Sequence, residues 1–389
     1  MLKCVTSCRL AITALGISLG WMPICLWSQQ PKAGEPLQQF GVALTQLAPA
    51  SPDDCGWEGP SPEKFSGHTA KLEDELFDEA DDAIVQALNV PGPNPKTAIA
   101  QVLDSMRALS EGLNKTWPAD RRFHYELLEI DPAFVVTYHI RSRSTWSVFG
   151  IAAEASWPNK GENTKWSQVG EDDLRWQQPD SDQQMEVYGL TRGPSGLARF
   201  LARASQISCG DGITGLTYHA YEWNPASIGS LDLIIERKGA ASRGDFPQYR
   251  PIGKLEMTGP RVTLPYCEWS AVDLDVDALL CSVDTYDVSG DEVRFLGTRT
   301  NRPDLEAVAK AVKYADDRDY RALLSYSASP AVARKMVALM PPSITANVGG
   351  GSYPPLRGNH QAIDIGGLHF ALEERNGTWV VVEFTMNPD

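Results

Sequence analysis

The hydrophobic repeat of this chain switches from helical to strand-like spacing near Phe123, and that switch limits the fold more than any other feature. Leu72, Leu76, Ala80, Ile84 and Leu88 recur every four residues, a single apolar stripe on a helix. Val90-Pro91-Gly92-Pro93 stops that helix and Asn94-Pro95 starts another, the asparagine capping and the proline preset for the first turn. Ile99, Val102, Leu103, Met106, Leu109 and Leu113 supply the second stripe. From Phe123 onward the period is two. Phe123–Ile130 and Phe134–Arg141 read as strands joined by Asp131-Pro132-Ala133.

Residues 143–300 continue as short strands cut by Gly, Pro, Asn and Asp clusters, the clearest being Met185–Leu190, Leu216–Trp223, Leu231–Arg237, Val283–Val288 and Val293–Gly297. Ser195–Ser205 reads as one short helix within that series. Further on, Leu305, Val308, Val312 and Ala315 return to helical spacing, and Ser329-Pro330 opens a helix that must end before Pro341-Pro342. Asn376-Gly377 then closes a hairpin, which places Glu373 opposite Val380 and His369 opposite Phe384. Helices and strands are segregated rather than alternating. The expected fold class is therefore α+β: an N-terminal helical hairpin, a β-rich antiparallel middle (sandwich or partial barrel), and a C-terminal helix-plus-antiparallel-sheet unit.

The first segment bears on location. Lys3 and Arg9 precede Leu10 to Trp27, a stretch without a charge, and Ser28-Gln29-Gln30-Pro31 turns the chain polar. That order reads as a secretory signal peptide. An uncleaved anchor is the alternative, weakened by Pro23, Gly16 and Gly20; a lipid-modified Cys25 is disfavoured by the bulky Ile24 before it. The expected division is 1–28 signal peptide, 29–65 Pro/Gln-rich leader, 66–142 helical hairpin plus β-hairpin, 143–300 β-rich domain and 301–389 C-terminal unit. The location this implies is extracytoplasmic, periplasmic or secreted, with no stable membrane insertion after cleavage.

Export changes how the cysteines read. Cys4, Cys8 and Cys25 leave with the signal, and Cys55, Cys209, Cys267 and Cys281 remain. None forms a CxxC pair, so zinc ribbons and thioredoxin-like motifs have no support. Two disulfides are expected, Cys267–Cys281 closing a short loop and, by default, Cys55–Cys209; four buried thiols are the alternative. The net charge of −15 excludes nucleic acid as a general partner, because phosphate backbones would be repelled.

No constellation names a reaction, and no catalytic, cofactor-binding or metal residue is assigned. Gly210-Asp211-Gly212-Ile213-Thr214-Gly215 matches a dinucleotide loop in letters only, since Leu216–Tyr221 after it alternates like a strand where a helix is needed. Asp273, Asp275 and Asp277 with Asp284 have calcium-like spacing, but Ala278 occupies the position that requires glycine. His124 and His139 share a face of the first hairpin with Glu126 and Arg141, and a two-residue turn would set them opposite one another; they read as polar residues on a wet sheet face, a metal site being the alternative that Arg141 would oppose. His360, Asp364 and His369 read as polar residues on a wet sheet face. Gly193-Pro194-Ser195-Gly196 is not a nucleophile elbow. The acidic run Glu73, Asp74, Glu75, Asp78, Glu79, Asp81 and Asp82 reads as the outer face of the first helix. Trp146, Trp157, Trp166 and Trp176 read as core or hairpin packing, with sugar stacking the alternative. The favoured function is a non-catalytic binding or structural module. A secreted carboxylate-dependent hydrolase acting on carbohydrate, and a small-molecule pocket in the C-terminal unit, are the alternatives.

Overall fold

The computed structural model describes residues 34–48, 66–113, 115, 117–141, 143–151, 165–171, 181–208, 213–225, 231–242, 254–268, 280–340, 351–352, 356, 358–365 and 367–386. Helices α1 (Gly34–Leu47), α2 (Ser66–Leu88) and α3 (Pro95–Leu113) pack on a four-stranded antiparallel sheet of β1 (His124–Glu129), β2 (Phe134–Ile140), β3 (Arg143–Ile151) and β4 (Trp166–Glu171). The second and third helices are those the fourfold stripe predicts. The first lies inside the stretch expected to be an unstructured leader. Leu37, Phe40, Ala43, Leu44 and Leu47 are all buried against α2, α3 and Phe123. One helical face of large apolar residues was enough, although Pro, Gln and Ala around it hid the period.

The second sheet has eight strands: β5 (Ser181–Gly189), β6 (Ala198–Ser208), β7 (Ile213–Trp223), β8 (Leu231–Ser242), β9 (Glu256–Thr258), β10 (Arg261–Glu268), β11 (Leu280–Asp287) and β12 (Arg294–Thr300). Their order is β12-β11-β10-β8-β7-β6-β5, with β9 beside β10. Strand β6 replaces the short helix expected at Ser195–Ser205. Alanines at 198, 202 and 204 favour a helix locally, yet Phe200, Ala202 and Ala204 face one side of the sheet while Leu201 faces the other. Two-sided burial overrode propensity.

One side of this sheet packs on the first. Trp146, Val148, Phe200, Tyr221 and Trp223 form the layer between them. Gly150 and Gly170 make that approach possible: a Cβ at Gly150 would stand 2.6 Å from Trp223 Cζ2, and one at Gly170 would stand 2.3 Å from Leu231 Cδ1. The other side curls over itself. Leu201 from β6 shares an apolar cluster with Val262 and Leu264 from β10 and with Val288 beyond β11. Buried Arg199 ties the curl by donating to the carbonyls of Val288 (2.9 Å), Gly290 (2.8 Å) and Asp291 (2.7 Å), with Glu222 as its counter-ion at 2.5 Å. Both expected architectures are thus present, a sheet-on-sheet sandwich on one side and a partial barrel on the other.

In the C-terminal part α4 (Pro303–Asp316), α5 (Tyr320–Leu323) and α6 (Pro330–Leu339) cover a sheet of β13 (Gly351–Ser352), β14 (His360–Ile365), β15 (Leu368–Arg375) and β16 (Thr378–Met386). Ser329 caps α6 by accepting from the Val332 amide, with Pro330 in its first turn. Asn376 and Gly377 both have positive φ, 54° and 80°, as the expected two-residue turn requires. Glu373 pairs with Val380 as expected, but His369 pairs with Thr385 rather than Phe384. A register shift between Ala371 and Leu372 accounts for the difference, because a bulge adds one residue to one strand.

Candidate functional site

The concave side of the curled sheet carries a polar array that reaches solvent. Cross-strand pairing puts Glu186 beside Arg203, Arg203 beside Tyr218 and Tyr218 beside Arg237, so four strands present one continuous row. Arg203 donates to Glu186 Oε2 at 2.6 Å, and Tyr188 donates to the same oxygen at 2.7 Å. Tyr218 donates to the Pro265 carbonyl at 2.8 Å, which fixes β7 to β10 across the curl.

The row continues on the far wall. Arg237 lies 3.7 Å from the ring centroid of Tyr266 and 3.1 Å from Asp284 Oδ2. Asp284 also accepts from Tyr266 (3.1 Å) and Thr298 (2.5 Å). Exposure falls from rim to floor: 45% for the Glu186 side chain, 30% for Arg203, 26% for Arg237 and 6% for Asp284. A solute therefore meets Glu186 and Arg203 first.

Electrostatics hold Glu186 and its tyrosine neighbours each in one protonation state. Burial pushes the Glu186 carboxyl up, but hydrogen bonds from Tyr188 and Arg203 outweigh it and hold the group below its usual range. Tyr218 is pushed up to about 12 by burial, with Arg203 opposing. Tyr188 also rises, through burial and its bond to Glu186. The face thus offers the ionised Glu186 carboxylate, guanidiniums and the neutral phenols of Tyr188 and Tyr218 together. Arg203 Nε is buried and has no acceptor among the described residues. Such a group costs free energy until an acceptor reaches it.

The residues singled out in the sequence fall elsewhere, with one exception. Asp284, the twelfth position of the calcium-like spacing, is the buried floor of this row; Asp273, Asp275 and Asp277 lie outside the described residues. Cys267 and Cys281 are register partners on β10 and β11 and are disulfide-bonded, as expected. Cys55 and Cys209 lie outside the described residues, as do residues 1–28, Trp157 and Trp176. Gly215 lies within β7, so the glycine-rich segment runs into a strand. Trp146 is wholly buried and Trp166 packs on Phe134, the packing role expected of them. Ser195 donates its amide to Asp291 in a turn before a strand. Asp364 and His369 pair at 2.7 Å on the exposed end of the C-terminal sheet, and His360 is exposed.

Two expectations need correction. Glu73 and Asp81 are not on an outer face: they are 1% and 3% exposed. The first sheet supplies their partners. Arg141 donates to Glu73 at 2.7 Å, while Tyr138, Ser147 and Gln168 donate to Asp81 at 2.6, 2.7 and 2.8 Å. Arg141 in turn does not share the face of His124 and His139. Its φ of 55° takes it out of the strand alternation and turns it toward α2. The histidines themselves do pair, because Ile130 bonds to Ala133 and leaves Asp131-Pro132 as the two turn residues inside the expected Asp131-Pro132-Ala133 connection.

In the C-terminal part, Val308, Val312, Met336, Phe370 and Phe384 fill the space between helices and sheet, and buried Asp304 is held by Arg302 at 2.8 Å. Among the described residues no group of three His, Cys, Asp or Glu side chains is arranged to hold a metal ion. No described helix is long and apolar enough to cross a membrane.

Comparison with known proteins adds little. No family model matches the chain, and none of the curated proteins does. Among solved structures it is similar to an α-L-arabinofuranosidase from Fusarium graminearum in complex with an iminosugar inhibitor, at 14% identity and a TM-score of 0.25, over 48% of this chain and 51% of that one. It is also similar to the GH93 α-L-arabinofuranosidase of the same fungus with arabinobiose, again at 14% identity and a TM-score of 0.25, over 46% and 49%. The matched region is thus about half the length of each enzyme. Likeness of this weakness carries no argument about chemistry.

Proposed function

We propose that the protein is an extracytoplasmic, non-catalytic binding module whose ligand sits on the concave face of the eight-stranded sheet. The row Glu186–Arg203–Tyr218–Arg237–Asp284 supports this reading above all else. Its carboxylates and guanidiniums balance, so the face suits a neutral ligand rather than an ion. Donors and acceptors alternate across it, which matches hydroxyl groups that both give and take hydrogen bonds. The ligand class is therefore a neutral, hydroxyl-rich molecule of carbohydrate type. Cleaving a glycosidic bond needs one carboxyl kept protonated, whereas Arg203 and Tyr188 hold the rim carboxyl Glu186 ionised. The disulfide between Cys267 and Cys281 supports a location outside the reducing cytosol.

Isothermal calorimetry against a panel of neutral oligosaccharides tests the reading. A ligand should bind wild type and bind Arg203→Met at least about tenfold more weakly, a loss of roughly 1.4 kcal/mol. Binding that survives unchanged in Arg203→Met places the ligand elsewhere and removes the proposal.

A further inference from the structure

The first sheet carries a second polar feature, a histidine pair whose His139 lies within electrostatic reach of Glu186 at the rim of the concave row. His124 and His139 are direct register partners on β1 and β2. Their rings are stacked, with centroids 4.4 Å apart and planes within 9°. The Arg122 carbonyl lies 3.0 Å from His124 Nδ1. A carbonyl only accepts, so Nδ1 carries the hydrogen and the lone pair of that ring sits on Nε2. His139 is anchored through the same atom, its Nδ1 lying 2.6 Å from Ser144 Oγ.

Both imidazoles are thus held from behind by Nδ1, with Nε2 the remaining ring nitrogen on each. Histidines that ligate metals are fixed in the same manner, the second nitrogen setting tautomer and orientation. The surroundings favour a cation. Arg141 is committed to Glu73 on the opposite side of the sheet. Glu126 shares the strand face of His124, two residues along, and Glu186 acts electrostatically on His139 from β5.

We propose that His124 and His139 form a two-histidine site for a late first-row divalent metal ion, Cu²⁺, Ni²⁺ or Zn²⁺, bound through both Nε2 atoms. Metal–imidazole bonds of about 2.0–2.1 Å meeting near a tetrahedral angle bring two nitrogens to roughly 3.4 Å. Because the rings now lie parallel, binding requires the exposed His124 ring to rotate out of the stack until both in-plane lone pairs converge on the ion. Water completes the coordination, because the described residues place no third His, Cys, Asp or Glu at the site. His124 is exposed, so the ion would exchange freely with solvent. Cu²⁺ should bind more tightly than Zn²⁺, as the Irving–Williams order requires.

The test uses the full chain with Cu²⁺ or Zn²⁺ as the probe. Calorimetry should find a site in wild type that weakens at least about tenfold in His124→Ala, while far-ultraviolet circular dichroism stays unchanged. Electron paramagnetic resonance of the Cu²⁺ form should show coupling to two imidazole nitrogens in wild type and fewer in the variant. Equal affinity in wild type and His124→Ala, or a Cu²⁺ spectrum that the substitution leaves unaltered, overturns the proposal. His124 is solvent-exposed at a strand end, so its replacement keeps the test valid even where His139→Asn fails to fold.

Discussion

Two acid-and-base networks in this molecule are built from the same side chains and differ in access to water. Between α2 and the first sheet, Glu73 and Asp81 are sealed, and Arg141 is 4% exposed beside them. On the concave face of the second sheet, Glu186 and Arg203 are nearly half and one-third exposed before the row descends to buried Asp284. Sealed charges cost several kcal/mol to desolvate and are tolerated only when every partner is in place. They specify how helix and sheet dock, and nothing else can reach them. Open charges cost little and remain available. The difference teaches that burial, more than residue type, separates a lock from a binding surface here.

Removing one member from each network should therefore have unequal consequences. Glu73→Ala takes the carboxylate from the buried Arg141 guanidinium, and should cost about 3–5 kcal/mol in a denaturant midpoint. A loss below about 1 kcal/mol would mean that water reaches Arg141. Asp81→Asn keeps the shape but takes away the charge that three donors share. About 1–3 kcal/mol should be lost, read as a fall in thermal midpoint. In the open network Arg203→Met should move the same midpoint by less than about 1 kcal/mol, while weakening ligand binding at least about tenfold. Equal losses in both regions would erase the contrast.

Acid should give the smallest effect. The Glu186 carboxyl is held below its unfolded value near 4.5, so its contribution is present above that pH and is lost as pH falls through the folded value. Comparing wild type with Glu186→Gln in denaturation between pH 7 and pH 3 should show the two curves converging as pH drops. Curves that diverge toward acid would mean the carboxyl is raised, as a proton donor's would be.

Much of the scaffold was legible in the sequence. Fourfold and twofold periods located α2, α3 and most strands, and Asn376-Gly377 and Asp131-Pro132 set two hairpins. Helix α1 and strand β6 were not legible, because burial against distant elements decided both. The candidate site was harder still. Glu186, Arg203, Tyr218, Arg237 and Asp284 each sit in an alternating strand that looks ordinary alone. Only the order β11-β10-β8-β7-β6-β5 brings them together, and that order follows no short-range signal. Glu73 and Asp81 misled for the same reason: an acidic helix face reads as solvated until its basic partners on another sheet are known.

The central claim is that the concave row binds a neutral saccharide without cleaving it. Prolonged incubation of the wild-type protein with a bound oligosaccharide, followed by mass spectrometry of the ligand, tests this most directly. The oligosaccharide should be recovered at its full length. Shortened products that form with wild type and disappear with Glu186→Gln or Asp284→Asn would contradict the account.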